Sequence, residues 1–282
     1  MAYLVLKLER YRSIRCTSNI YISRCLNQYS GIYISPSHIM IVRDLSKKFG
    51  NIIALNNVNF DLAFNEVLGV IGPNGSGKTT LINVLTGFIR PDRGSVKYMV
   101  NNMYIDITRL PPHKRVSLGI VRTFQGSRIY KDLTVKENLT YASMFSGMHI
   151  SLDNQDAYLK EISYILEALD LKRYMDKRAS ELDNFHIKAL ELSMCLIRRP
   201  KVLLSDEIFS GLSHDEIAKI KDIISLYRKR YSISIIWVEH VVKALADAVD
   251  RMIAMNFGEI IAMGSPDEVL SSKAVISSYL GR

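Results

Sequence analysis

The chain has 282 residues, 48% of them hydrophobic, which supplies a sizeable core and excludes a disordered chain; one large α/β domain or two small ones fit that length. Its net charge of +9 is uneven: Lys7, Arg10, Arg12, Arg15 and Arg24 against Glu9 put +4 on residues 1–39, and the +5 over the remainder weakens a nucleic-acid reading, which wants a dense basic face, leaving a weak pull toward anionic membrane. Cys16, Cys25 and Cys195 are too few and too scattered for a disulfide framework or a zinc site, which suits a reducing cytosol, and no apolar run is long enough to span a bilayer.

Residues 1–39 are rich in Tyr, Ser, Ile and Arg, show no clear period and lack the apolar core of a secretory signal. Their Arg and Ser content has a faint transit-peptide character. The reading adopted is an N-terminal extension from a start codon placed too early, because Met40 opens a segment that reads as a domain's first strand. Residues 39–42 predict that strand, 45–50 a turn, and 54–62 a second strand pair. Phe49 is a candidate for stacking on an adenine ring, against the alternative of ordinary packing.

Val67, Leu68, Val70 and Ile71 lead into Gly72, Pro73, Asn74, Gly75, Ser76, Gly77, Lys78, Thr79 and Thr80, and Leu81, Ile82, Val84 and Leu85 follow at helical spacing. Strand, glycine loop and helix in this order make a phosphate-binding loop. Gly72, Gly75 and Gly77 let the backbone turn its N–H groups toward anionic oxygens, and the helix opening at Lys78 adds the positive end of its dipole. Lys78 is expected to reach the terminal phosphates and Thr79 to hold Mg²⁺, with Asn74, Ser76 and Thr80 in the nucleotide-binding set.

Residues 91–94 read as a turn, 95–107 as a hairpin with Asn101 and Asn102 at its tip, and Pro111-Pro112 as the start of a short helix. Residues 119–125 read as a buried strand ending in Gln125, whose amide is a candidate ligand for Mg²⁺ or water; a backbone-satisfied Gln is the alternative. From 126 to 187 the pattern turns helical, with Leu159, Ile162, Ile165, Leu166 and Leu169 on one face and a helix at 135–144, so an inserted helical subdomain is expected. Another helix runs over 188–197, stopped by Pro200.

Residues 202–207 form an apolar run closing on Asp206 and Glu207, at the strand end where open parallel sheets place ligands. Asp206 is assigned to Mg²⁺ through water and Glu207 to polarising the water that attacks a γ-phosphate, with helix capping as the alternative. Ser213 and Glu216 form a capping box before the helix marked by Ile217, Ile220, Ile223, Ile224 and Tyr227. Residues 232–238 read as a strand delivering His240, a candidate to hold the attacking water. Ser265, Pro266 and Glu268 open the C-terminal helix. The expected fold class is an α/β domain with parallel strands and that helical insertion.

The glycine loop, Gln125, Asp206, Glu207 and His240 stand in an order and spacing that resemble an ABC transporter nucleotide-binding subunit, over residues 40–282. Leu110-Pro-Pro-His-Lys114, the run from Leu118 to Gln125, the run from Leu133 to Leu139 and the tail from Gly264 are most similar to the ATPases of branched-chain amino-acid importers, a pattern that urea-type importers share. The resemblance implies a RecA-like P-loop NTPase core with an antiparallel β portion, hydrolysis of ATP with Mg²⁺, and a second ATPase subunit in a sandwich. It also implies integral membrane permeases, a solute-binding protein engaged indirectly, and a place on the cytoplasmic face of the membrane. Residues 126–132 are expected near the coupling surface. A P-loop kinase or GTPase is disfavoured: no guanine motif occurs, and Gln125 and His240 would go unexplained.

One stretch departs from the family pattern. Its signature, LSGGQ-like, falls at Leu182, Asp183, Asn184, Phe185 and His186. Asp183 stands where a Ser would bond the γ-phosphate, and two like charges about 4 Å apart cost about 1–4 kcal/mol between bulk-water and surface dielectrics. Phe185 in place of a Gly is expected to block close backbone approach, and His186 replaces a Gln. Ile208 and Ser213 replace a Pro and an acid. The expectation is a heterodimer with one competent site, or a regulatory subunit that hydrolyses little.

Overall fold

The computed structural model describes residues 37–124, 126, 128–144 and 155–280, with the backbone alone for 155–161 and 280. Residues 1–36, Gln125 and the side chain of Leu159 lie outside the described residues. From His38 the chain runs as a long antiparallel hairpin, β1 (His38–Phe49) against β2 (Ile52–Ala63), with Phe49 paired to Ile52. The turn expected over 45–50 and the strand pair over 54–62 are therefore corrected to the end of one strand and the body of another. Register shifts between Val42 and Lys47, with Asp44 at φ +52°, break the two-residue alternation that marks a strand in sequence.

The hairpin belongs to a four-stranded antiparallel sheet, β2-β1-β4-β5, in which β4 (Arg93–Val100) and β5 (Met103–Asp106) meet at Asn101 and Asn102. Both asparagines have positive φ, the geometry of a tight type I′ turn. The second sheet takes β3 (Val67–Ile71), β6 (Ile120–Arg122), β7 (Val202–Asp206), β8 (Ser234–Val238), β9 (Arg251–Asn256) and β10 (Glu259–Gly264) in the order β10-β9-β3-β8-β7-β6. All its neighbours pair in parallel except β10, an antiparallel edge. This hairpin of β9 and β10 went unread because its turn, Phe257-Gly258, carries no Asn-Gly or Asp-Gly signal.

The buried parallel strands are apolar on both faces, and their alternation divides two cores. Leu68, Val70, Leu204, Ile236 and Ile253 face the antiparallel sheet and helix α1 (Lys78–Leu85), whereas Ile71, Leu203, Ile235 and Met252 face the helices of the other side. A strand covered on both faces needs helices above and below, so the apolar runs dictate the layering. Helix α2 (Pro112–Ser117) begins with Pro at its first turn, and α3 (Val135–Met144) and α4 (Gln155–Ala168) follow β6.

Helix α5 (Asn184–Leu196) starts four residues before the predicted 188, because Asp183 caps it. Helix α6 (His214–Tyr231) has the predicted Ser213–Glu216 capping box and buries the predicted stripe. Its left-handed cap is Ser232, so the strand predicted from 232 starts at Ser234. The short α7 (Val242–Ala246) follows His240, and the expected C-terminal helix is two, α8 (Pro266–Ser271) and α9 (Lys273–Leu280), separated by extended Ser272. The strand predicted over 119–125 ends at Arg122, three residues short of Gln125.

Candidate nucleotide site

Val70, Val238 and Asp206 lie level across β3, β8 and β7, so three strands deliver their carboxyl ends side by side. After β3 the chain turns through Gly72 (φ +154°) and Gly77 (φ +105°). A Cβ would lie 2.3 Å from the Met255 carbonyl at Gly72 and 2.4 Å from the Ala54 carbonyl at Gly77, so only glycine lets the loop press against β9 and β2. Helix α1 then opens at Lys78 with no side-chain cap and no acid in its first turn. Its leading N–H groups and positive dipole end are left for an anion.

The Lys78 ammonium is folded back over the loop, donating to the Gly72 carbonyl at 2.7 Å and to the Pro73 carbonyl at 3.0 Å. Burial lowers its pKa, against the opposing charges of Glu207 and Asp206. Ser76 is buried, and its hydroxyl has no partner among the described residues. A phosphate oxygen is the kind of acceptor this hydroxyl lacks. Asn74 and Thr79 are exposed and Thr80 half-buried at the same turn.

At the neighbouring strand ends, Asp206 is 1% exposed. Its Oδ2 accepts from Arg122 Nη2 at 3.0 Å, while Oδ1 has no partner among the described residues. Burial pushes the Asp206 carboxyl up, Arg122 opposes that, and Glu207 adds to it. An unpartnered carboxylate oxygen in a dry site fits a divalent cation, and with Thr79 it makes a donor set of the hard-oxygen kind that Mg²⁺ takes. Glu207 follows in a left-handed turn, φ +54°, its N–H bonded to the Val238 carbonyl at 2.9 Å. Its Oε1 lies 2.7 Å from His240 Nε2, a contact that needs that nitrogen to carry a proton.

The structure thus brings together the glycine loop, Lys78, Asp206, Glu207 and His240. Phe49 is 46% exposed at the end of β1, with the Lys47 ammonium over its ring. Arg122 was missed by the sequence reading, although a lone arginine in an apolar strand demands a carboxylate, and β7 next door supplies one. Glu239, buried beside His240, and Lys188 on α5 were missed as well.

The signature stretch needs two corrections. Residues 184–186 are the first turn of α5 rather than a loop before it. Phe185 does not block backbone approach: its ring is turned into the core and the residue is 5% exposed. The obstruction is Asp183 itself. Its Oδ1 accepts from the His186 N–H at 2.9 Å, and its two oxygens lie 2.7 and 2.8 Å from His186 Nδ1. Burial pushes the Asp183 carboxyl up, but the bonds from His186 outweigh it and hold it below the usual carboxylate range. The first turn of α5 is thus capped by the chain's own anion.

Beyond β6 a groove of about 260 Å³ is lined by Phe88, Phe124, Tyr130, Tyr141, Arg122 and Arg128, among others. The two guanidinium groups each lie 4.4 Å from the centroid of the Phe124 ring. Glu191 on α5 accepts from the Phe124 N–H at 2.9 Å and ties this wall to the helix.

A family model described as ABC transporter matches residues 55–210. The high-affinity branched-chain amino acid transport ATP-binding protein LivG of Escherichia coli (strain K12) is 32% identical over 253 residues, 86% of this chain and 98% of that protein. A probable branched-chain amino acid transport ATP-binding protein LivG of Archaeoglobus fulgidus is 35% identical over 254 residues, 86% of this chain and 95% of that one. Among solved structures, a nucleotide-free ATP-binding cassette from an ABC transporter superposes with a TM-score of 0.74 at 32% identity, covering 87% of this chain and 100% of its own. The ADP conformation of such a cassette gives the same TM-score and identity, covering 87% and 99%.

Proposed function

Because the chain belongs to the ABC transporter ATP-binding family, we propose that it energises uptake of branched-chain or similar amino acids and works as one half of an unequal ATPase pair. It is an ATPase subunit, turning ATP and water into ADP and phosphate. Its own site is read as the hydrolytic one: loop amides and Lys78 grip the phosphates, Glu207 takes a proton from the attacking water, and His240 holds Glu207 and that water in line. The single observation that carries this is the 2.7 Å Glu207–His240 contact at the strand end beside Asp206. Mg²⁺, when bound, neutralises phosphate charge; Thr79 and Asp206 would hold it, with Gln125 proposed as the third ligand. Phe49 is proposed as the adenine platform.

The pairing reading rests on Asp183. A carboxylate tied to its own helix end is a poor partner for a γ-phosphate, so the site this loop caps on a partner subunit is taken as the weak one. A different ATPase with an intact signature would complete the site built on Lys78. The aromatic and basic groove beside Arg128 is proposed to receive the membrane permease, and a peripheral position on the cytoplasmic face is proposed with it. Residues 40–282 are taken as the nucleotide-binding domain, with 1–39 an extension.

Glu207→Gln in this chain, assembled with its ATPase and permease partners, is the test. Turnover is expected to fall by about 10²-fold or more with nucleotide still bound, the scale of a lost general base. Unchanged turnover would assign hydrolysis to the partner and make this chain the regulatory subunit, the second reading that Asp183 favours.

A further inference from the structure

The loop that follows Glu207 is gripped at every residue from 208 to 211, and all four grips come from outside its own strand, three of them from α5. Lys188 Nζ, on the second turn of α5, donates to the Ile208 carbonyl at 3.0 Å and to the Ser210 carbonyl. Asn184 Nδ2, on the first turn, donates to the Gly211 carbonyl at 3.2 Å. From the opposite side Glu239 Oε1 accepts the Phe209 N–H at 2.9 Å and the Trp237 indole N–H at 3.2 Å. Lys188 and Glu239 are both buried.

Glu207 itself occupies the left-handed region, which a branched or long side chain adopts only when its surroundings force it. Its N–H anchors the start of the turn on Val238. The grips on Ile208, Phe209, Ser210 and Gly211 hold the exit. Together they fix the direction in which the Glu207 carboxylate leaves the backbone, toward His240. Asn184 matters here because it stands in the altered signature: the glycine of the family pattern has no side chain with which to reach Gly211.

We propose that Asn184, Lys188 and Glu239 are positioning residues for hydrolysis, and that the first two turns of α5 have exchanged phosphate binding for bracing the Glu207 loop of the same chain. The brace rests on the reading of Glu207 as the group that activates water. It gives the altered signature a use in this chain's own site rather than in its partner's. Lys188 carries most of the effect because its bonds are charge-assisted and buried or half-buried, and Asn184 carries least because its bond is exposed.

Glu239 adds a pH signature. Burial pushes its carboxyl up to about 7, against the N–H bonds of Phe209 and Trp237. The charged groups facing it are Lys188 from α5 and Glu207 from the end of β7, while Glu191 of α5 and Glu207 also face Lys188. Glu239→Gln keeps an acceptor for Phe209 and removes the titration.

The experiment measures ATP turnover and ADP affinity of the assembled transporter, ADP binding being read here as the work of the glycine loop and Phe49 rather than of residues 207–211. Lys188→Met is expected to lower kcat by about 10-fold or more, with KM and ADP affinity within about 2-fold, the pattern of an interaction realised in the transition state. Lys188→Arg, which keeps the donors, restores most of it. Asn184→Gly lowers kcat by about 2- to 3-fold, and Glu239→Gln flattens the change in kcat across pH 7. The idea is overturned if Lys188→Met leaves kcat unchanged, if kcat and ADP affinity fall together, or if Asn184→Gly raises turnover. A wild-type complex with no turnover sinks the hydrolytic reading and the brace with it; a wild type that turns over beside an undiminished Lys188→Met sinks the brace alone.

Discussion

Two helix N-termini in this molecule meet the same electrostatic problem and solve it oppositely. Helix α1 begins at Lys78 after a glycine turn, with no side-chain cap and no acid in its first turn, and beside it the Ser76 hydroxyl has no partner among the described residues. Helix α5 begins at Asp183, whose carboxylate accepts from its own His186 N–H and ring. Any helix N-terminus starts with N–H groups that have no intrahelical acceptor and about half a positive charge. A helix end becomes an anion site only when the chain withholds its own anion, so the same helical geometry is left open at one place and closed by its own cap at the other.

The largest way to break the contrast is to remove the ammonium that crowns the open end. Lys78→Ala is expected to reduce ATP turnover by at least about 10²-fold, read in a steady-state phosphate-release assay. Retained turnover would mean the nucleotide does not sit on α1. Next comes the buried ion pair beside it: Arg122→Met leaves Asp206 buried without its partner. That should destabilise the fold by about 3–5 kcal/mol, measured by denaturant unfolding, because the surviving charge stays in a dry site.

The closed end offers smaller and more informative changes. Asp183→Ala is expected to cost about 1 kcal/mol of stability, the worth of a helix cap, and Asp183→Ser much less because the hydroxyl still caps. Asp183→Ser also removes the charge that would oppose a γ-phosphate, so ATP-driven pairing of the chain with itself should tighten a few-fold by light scattering. Equal pairing in the two would show that the carboxylate is not what closes this end.

The gentlest probe is pH. Glu239 has a folded pKa raised to about 7 from 4.5, so its contribution favours the native state below pH 4.5 and is lost as pH rises to about 7. Stability should decline across that window, and Glu239→Gln should flatten the decline in a series of thermal melts.

The site was legible where chemistry sits on strand ends. Gly72, Lys78, Asp206, Glu207 and His240 are announced by apolar runs that stop at them, and parallel pairing then makes neighbours of residues far apart in the chain. Phe185 was misread because sequence gives the identity of a side chain and not its direction; in the first turn of α5 it points into the core. The brace on residues 208–211 was illegible, since Lys188 and Glu239 reach backbone groups, and a carbonyl leaves no mark on the sequence. The hairpin of β9 and β10 was lost to an unremarkable turn, and the second half of β1 to bulges that spoil its alternation.

Steady-state ATP turnover of the purified chain alone, against the chain assembled with a second ATPase that has an intact signature, bears most directly on an open end paired with a closed one. The chain alone, with only Asp183-capped ends to offer its partner, should turn over ATP at no more than about a tenth of the assembled rate, given the few kcal/mol of repulsion at each interface. Equal rates from the lone chain and the assembly would contradict it.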